Sequence, residues 1–168
     1  RAVAAPHGDD AYAKIILAGH SMGGIVVRAA VSELIHRDDR QTLGALKGLL
    51  LLASPTAGSL RVPTWMSWLT PDTKVLAPHN ESVTKVQETF TNRIVANASH
   101  AGQSQFVVPV YVVAAAEDAW VDRFSAGVSV PHDRKLTVRG THKSAVKPSH
   151  RSDDAYRWIR DRVRDMLA

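Results

Sequence analysis

The sequence predicts an α/β protein built on a mostly parallel sheet with flanking helices, and three observations predict it. Apolar runs at residues 14–18, 46–53 and 106–116 lack polar alternation, as strands covered on both faces do. Stretches with helical spacing separate these runs, so strand and helix alternate along the chain as in a sheet joined by crossover helices. Residues capable of chemistry follow the carboxyl ends of the strands, where sites form in open parallel sheets.

Taken in order, residues 1–13 read as a frayed helical end and a Gly-Asp loop that lead into the first strand. The helix from Met22 to about His36 carries Ile25, Val26, Val27, Ala29, Ala30, Val31, Leu34 and Ile35, apolar nearly all round, which predicts burial rather than a place at the periphery. A polar loop precedes the strand at 46–53, and Ser54, Pro55, Thr56, Ala57, Gly58 and Ser59 turn the chain at its end. Residues 60–79 form a proline-bounded apolar piece with two of the four tryptophans, a lid-like segment. Asn80 is placed to cap a helix whose Val83, Val86, Phe90 and Ile94 share one face. The run at 106–116 is the strongest strand signal, and a short strand at 135–139 follows. Ser152 is placed to cap an amphipathic helix burying Ala155, Trp158, Ile159, Val163 and Met166.

At 168 residues, 45% of them hydrophobic and 22% charged, the chain has the composition of one globular domain, expected to span residues 1–168. Without cysteine it has neither a disulfide framework nor a thiolate metal site, which fits a reducing compartment and an expected cytoplasmic location. No run approaches the roughly 20 apolar residues of a membrane-spanning helix. A net charge of +5 raises an acidic partner, but Arg151, Arg157, Arg160, Arg162 and Arg164 are interleaved with Asp153, Asp154, Asp161 and Asp165, the pattern of a solvated helix face. No nucleic-acid motif is present, and no nucleic-acid partner is expected.

The chemistry centres on Gly19-His20-Ser21-Met22-Gly23-Gly24, a Gly-x-Ser-x-Gly turn between strand and helix. Such a turn holds its serine in a strained conformation with the hydroxyl exposed above the sheet, while the glycines let strand and helix approach. The Met22 N–H and the positive end of the helix would face an oxyanion formed beside Ser21. Serine is a poor nucleophile at neutral pH and needs a base, itself held by a carboxylate. Asp118 follows the strand at 106–116, with Glu117 and Asp122 as local rivals; His142 follows the strand at 135–139, with His150 as its rival. Their order is Ser, Asp, His. His20 reads as a packing or hydrogen-bonding residue. Neither a cofactor nor a metal is called for.

These motifs resemble the α/β-hydrolase superfamily, within it the lipase-like serine esterases related to the SERAC and PGAP lipid-remodelling hydrolases. Residues 19–24 resemble the nucleophile elbow, and residues 52–59 the strand running into a Thr-Pro-His-x-Gly-Ser type loop, with Thr56 in place of the histidine. Residues 117–122 resemble the acid loop, which places the acid on Asp118, although Asp122 stands where a proline is common. Residues 140–148 resemble the His-x-Ser-x-x-Lys-Pro segment, which favours His142 over His150. The resemblance implies ester hydrolysis by Ser21, Asp118 and His142, with Met22 as one oxyanion donor. It covers the chain from Lys14 onward and only the carboxyl-terminal part of the superfamily fold, so a truncated domain is expected. In the superfamily a loop after an earlier strand supplies the second oxyanion N–H.

Trp65, Met66, Trp68 and Leu69 could line an acyl pocket or rest at a membrane surface, or could cover the core beneath a loop. The expected substrate is a small-molecule or lipid ester, with peripheral membrane contact in view. Two other readings compete: a non-catalytic hydrolase-like interaction domain, and binding to an anionic membrane or nucleic acid driven by charge.

Overall fold

A computed structural model describes residues 12–54, 81–95, 102, 105–118 and 130–168. Four parallel strands form the main sheet: β1 (Ile15–His20), β2 (Leu46–Leu52), β5 (Val110–Ala115) and β6 (Lys135–Val138), in the spatial order β1-β2-β5-β6. Helices α1 (Gly23–His36) and α2 (Arg40–Ala45) connect β1 to β2, α3 (Glu81–Arg93) lies between β2 and β5, and α4 (Asp154–Leu167) closes the chain. The short strands β3 (Ile94–Val95) and β4 (Phe106–Val107) pair with each other in a separate parallel sheet. The expected fold class, a mostly parallel sheet with flanking helices, is the one observed.

The absence of polar alternation has a direct cause in the packing. Leu49 and Leu51 of β2 join Val110, Val112 and Ala114 of β5 in a core with Val27, Val31 and Ile35 of α1 and Phe90 of α3. The alternate residues Leu50, Tyr111 and Val113 face the other way, where α4 covers them with Ala155 and Met166. Both faces of the central strands are therefore dry, and both sets of side chains must be apolar. Because every strand runs the same way, His20, Leu52, Ala115 and Val138 end at one edge of the sheet, in the register His20↔Leu52, Leu52↔Val113 and Ala115↔Val138.

Several elements depart from the sequence expectations. The run at 106–116 is not one strand: it breaks at Val108-Pro109, because proline has no N–H for the ladder, while the Pro109 carbonyl still accepts the Leu49 N–H at 2.9 Å. The helix expected to include Ile94 ends at Arg93, and Ile94 enters β3. The supposed polar loop before β2 holds α2, capped by Asp39, whose carboxylate accepts from the Thr42 N–H and hydroxyl at 3.0 and 2.7 Å. Those bonds hold the Asp39 carboxyl below its usual range. Ser152 does not cap α4; Asp153 occupies that position, and its carboxylate reaches back to the Ser149 and His150 N–H groups. Helix α1 is not buried all round, since Val26 is 61% exposed. Among the described residues β1 is an edge strand and Ala18 is exposed, not covered on both faces.

Asn80 and the lid-like segment at 60–79 lie outside the described residues. Among those described, no helix is long and apolar enough to cross a membrane.

Candidate active site

The elbow is built by contacts that leave its serine little freedom. Ser21 has φ 55°, in the left-handed region that costs a residue with a Cβ about 1–2 kcal/mol. Its N–H donates to the Leu52 carbonyl at 2.9 Å, and its own carbonyl accepts the Gly24 N–H at 3.0 Å, so the turn is pinned to β2 on one side and to α1 on the other. A Cβ at Gly19 would strike the backbone of Gly23 and Gly24, and one at Gly24 would strike the Ser54 side chain. Gly23, expected to share in this close approach, has open space around it. Met22 is the N-cap of α1, and among the described residues no acceptor is paired with its N–H. That donor stands next to Ser21 at the positive end of a 14-residue helix.

The acid and histidine loops are joined by their backbones. The Ala116 N–H donates to the Val138 carbonyl at 2.8 Å and the Glu117 N–H to the Gly140 carbonyl at 3.0 Å, carrying the β5–β6 pairing past the strand ends. Gly140 takes φ 133°, open to glycine, and a Cβ there would meet Ser144 Oγ at 2.5 Å. The Thr141 N–H donates to Ser144 Oγ at 2.8 Å and the Ala145 N–H to the Thr141 carbonyl at 3.1 Å, which shapes the turn presenting His142.

Three residues distant in the chain meet here. His142 Nδ1 lies 2.8 Å from Asp118 Oδ2, and His142 Nε2 lies 2.8 Å from Ser21 Oγ. The Asp118 side chain is 1% exposed and that of His142 10%. An ionised carboxylate only accepts, so Nδ1 carries the hydrogen, and in the neutral ring Nε2 then accepts from the Ser21 hydroxyl. With a left-handed serine between β1 and α1, an acid after β5 and a histidine after β6 of a parallel sheet, the topology is decisive. The fold is of the α/β-hydrolase class.

No protein-family model matches the sequence, and no curated protein matches it. Among solved structures the chain is similar to human thioesterase 2, at 15% identity over 95% of this chain and 74% of that one, with a TM-score of 0.46. It is also similar to DcsB, solved in complex with its substrate analogue, at 15% identity over 93% of this chain and 64% of that one (TM-score 0.44). A third likeness is to BorB, a type II thioesterase from the borrelidin biosynthetic cluster, at 19% identity over 92% and 66% of the two chains (TM-score 0.38). At these identities and scores, the chemistry of the site rests on its own geometry.

That geometry distinguishes Asp118 from Glu117 and His142 from His150. Glu117 turns to the exposed Arg139, 3.5 Å away, and Asp122 lies outside the described residues. His150 is exposed, and its N–H serves the turn before α4. Trp65, Met66, Trp68 and Leu69 also lie outside the described residues. A cavity of about 510 Å³ lined by Arg40, Leu43, Lys47, Phe106 and Pro109 sits at the amino ends of β2 and β5, away from Ser21.

Two groups support the site from outside the three residues, and of these the sequence marked only His20, as a packing or hydrogen-bonding residue. Arg28 is buried in α1, and one of its guanidinium N–H groups donates to the fully buried Ser54 Oγ at 3.4 Å; burial pushes its pKa down to about 10. A single cation within the apolar run at 25–31 was the available signal. His20 is the other: its Nε2 lies 3.2 Å from the His142 carbonyl. Among the described residues no cluster of three His, Asp or Glu side chains could hold a metal ion.

Proposed function

We propose that the protein is a serine hydrolase that cleaves carboxylic esters of lipids or other apolar acyl compounds through an acyl-Ser21 intermediate. The observation that carries the reading is the continuous hydrogen-bond chain from Ser21 through His142 to Asp118. His142 Nε2 takes the Ser21 proton as Oγ attacks the acyl carbon, and the Asp118 carboxylate stabilises the imidazolium that forms. The Met22 N–H donates to the developing oxyanion. As the tetrahedral adduct collapses, the imidazolium gives its proton to the leaving alcohol. Water, deprotonated by His142, then attacks the acyl carbon; the bond to Ser21 Oγ breaks, the imidazolium returns its proton to Oγ, and the acid leaves.

A thioester would follow the same steps with a thiol leaving. The apolar acyl preference is proposed on Trp65, Trp68 and Leu69, as is contact with a lipid surface. Kinship with the SERAC and PGAP hydrolases rests on the motifs at 19–24 and 140–148, and a cytoplasmic setting on the lack of cysteine. A non-catalytic interaction domain has no need for a buried acid and a histidine aligned on a half-buried serine turn.

A fluorophosphonate probe should label the wild-type protein, and Ser21→Ala should abolish both labelling and turnover of p-nitrophenyl esters. Rates across an acyl series from acetate to decanoate should rise with chain length. An unlabelled wild type beside a reactive control esterase, or ester turnover surviving Ser21→Ala, overturns the assignment.

A further inference from the structure

We infer that His20 is a positioning residue: its ring ties the main chain of the general base, His142, to the strand that carries the nucleophile. The inference rests on the hydrolase reading above. His20 is the last residue of β1 and directly precedes Ser21. Its Nε2 lies 3.2 Å from the His142 carbonyl oxygen, and the two rings pack with centroids 4.9 Å apart at a tilt of 39°. A carbonyl offers no hydrogen, so Nε2 of His20 is the donor.

Two other sets of contacts around His142 do a different job. Asp118 holds the imidazole ring from the end of β5, and the Thr141–Ser144 hydrogen bonds shape the loop from within. Neither connects the His142 backbone to β1. Ser21 is fixed by its own backbone bonds to Leu52 and Gly24, so the 2.8 Å separation between Ser21 Oγ and His142 Nε2 depends on where the histidine loop sits relative to β1. The backbone bonds of Ala116 and Glu117 hold the histidine loop to β5, and the His20 bond adds a direct tie to β1; displacements of about 1 Å in such sites cost up to about 10²-fold in rate. His20 is itself exposed, which leaves its replacement tolerable for folding.

The test compares His20→Gln, whose side-chain amide keeps an N–H donor near the Nε2 position, with His20→Met, of similar length and without a donor. A third variant, His20→Asn, has a donor one methylene too short. Turnover of a p-nitrophenyl ester is measured per site titrated with fluorophosphonate, with melting temperature alongside. For Met and Asn, kcat should fall about tenfold to 10²-fold with KM within about twofold, and Gln should recover most of the loss. A Met or Asn variant that keeps wild-type kcat per titrated site overturns the inference, as does a Gln variant no better than Met. The Gln and Asn pair decides if Met does not fold. An unlabelled, inactive wild type overturns the hydrolase reading and this inference together, whereas an active wild type matched by its Met variant overturns this inference alone.

Discussion

Replacing Asp118 by Asn tests the acid with little change of shape. The carboxylate is 1% exposed and accepts from His142 Nδ1 at 2.8 Å. An asparagine there keeps the contact but loses the charge. With charge centres about 4 Å apart and an effective dielectric constant of about 20, the carboxylate stabilises the imidazolium by about 4 kcal/mol. That corresponds to about 10³-fold in rate. A second effect adds to it: if the amide donates to Nδ1, the ring switches tautomer, Nε2 carries the hydrogen, and the Ser21 proton has no acceptor. Substitutions of this kind in Ser-His-Asp triads cost about 10⁴-fold in turnover. Asp118→Asn should therefore lower kcat for a p-nitrophenyl ester by about 10³- to 10⁴-fold, with fluorophosphonate labelling slowed in parallel. Glu117→Gln, which removes only an exposed partner of Arg139, should stay within about twofold. A loss smaller than tenfold in a folded Asp118→Asn protein would refute the assignment of the acid.

Two further outcomes follow from strain and burial. Because Ser21 sits at φ 55°, Ser21→Gly should be more stable than Ser21→Ala by about 1 kcal/mol, both lacking the hydroxyl; differential scanning calorimetry should place its melting temperature roughly 2–4 °C higher, and the reverse order would show the turn unstrained. Burial pushes the Arg28 pKa down to about 10, so above that pH the folded chain has released a proton that the unfolded chain still holds; unfolding takes it up, and stability rises with pH there. The difference in melting temperature between wild type and Arg28→Met should accordingly move in favour of the wild type from about pH 9 to 11, and a difference independent of pH would count against the buried charge.

The site was legible in the sequence because each of its three residues lies at or shortly after the carboxyl end of a strand, and parallel strands deliver those ends to one edge. Residue type and place offered Ser21, Asp118 and His142 beside the rivals Glu117, Asp122 and His150, and the family resemblance chose among them. What periodicity could not give was which apolar surface is covered. Val26 is as apolar as Val27, yet one is 61% exposed and the other 8%, because a helix in this sheet needs only one dry face. The break at Val108-Pro109 was hidden by composition, since valines on either side of a proline look like one strand until hydrogen bonds are counted. Helix α2 has six residues, too few for a helical period to show. His20 was legible as a packing or hydrogen-bonding residue, but its partner was not, because a main-chain acceptor leaves no mark on the sequence.

Strain at the strand ends is concentrated at the edge that carries the site. Among the described residues three non-glycine residues have positive φ: Ser21, Ala53, and Asp38 just past the end of α1. Ala53, at φ 42°, has no side-chain oxygen to favour that conformation locally, so its neighbours must impose it. Its N–H donates to the Val113 carbonyl at 2.7 Å, and it is followed by Ser54, which is fully buried against Gly24 and bonded to Arg28. Ser21 in turn hangs on the Leu52 carbonyl, one residue before Ala53. The two strained turns therefore share a single support, the carboxyl end of β2, which is held by β5 and by α1. A change that loosened β2 there would relax both turns at once, so the elbow depends on the packing of Ala53 and Ser54 as much as on its own glycines.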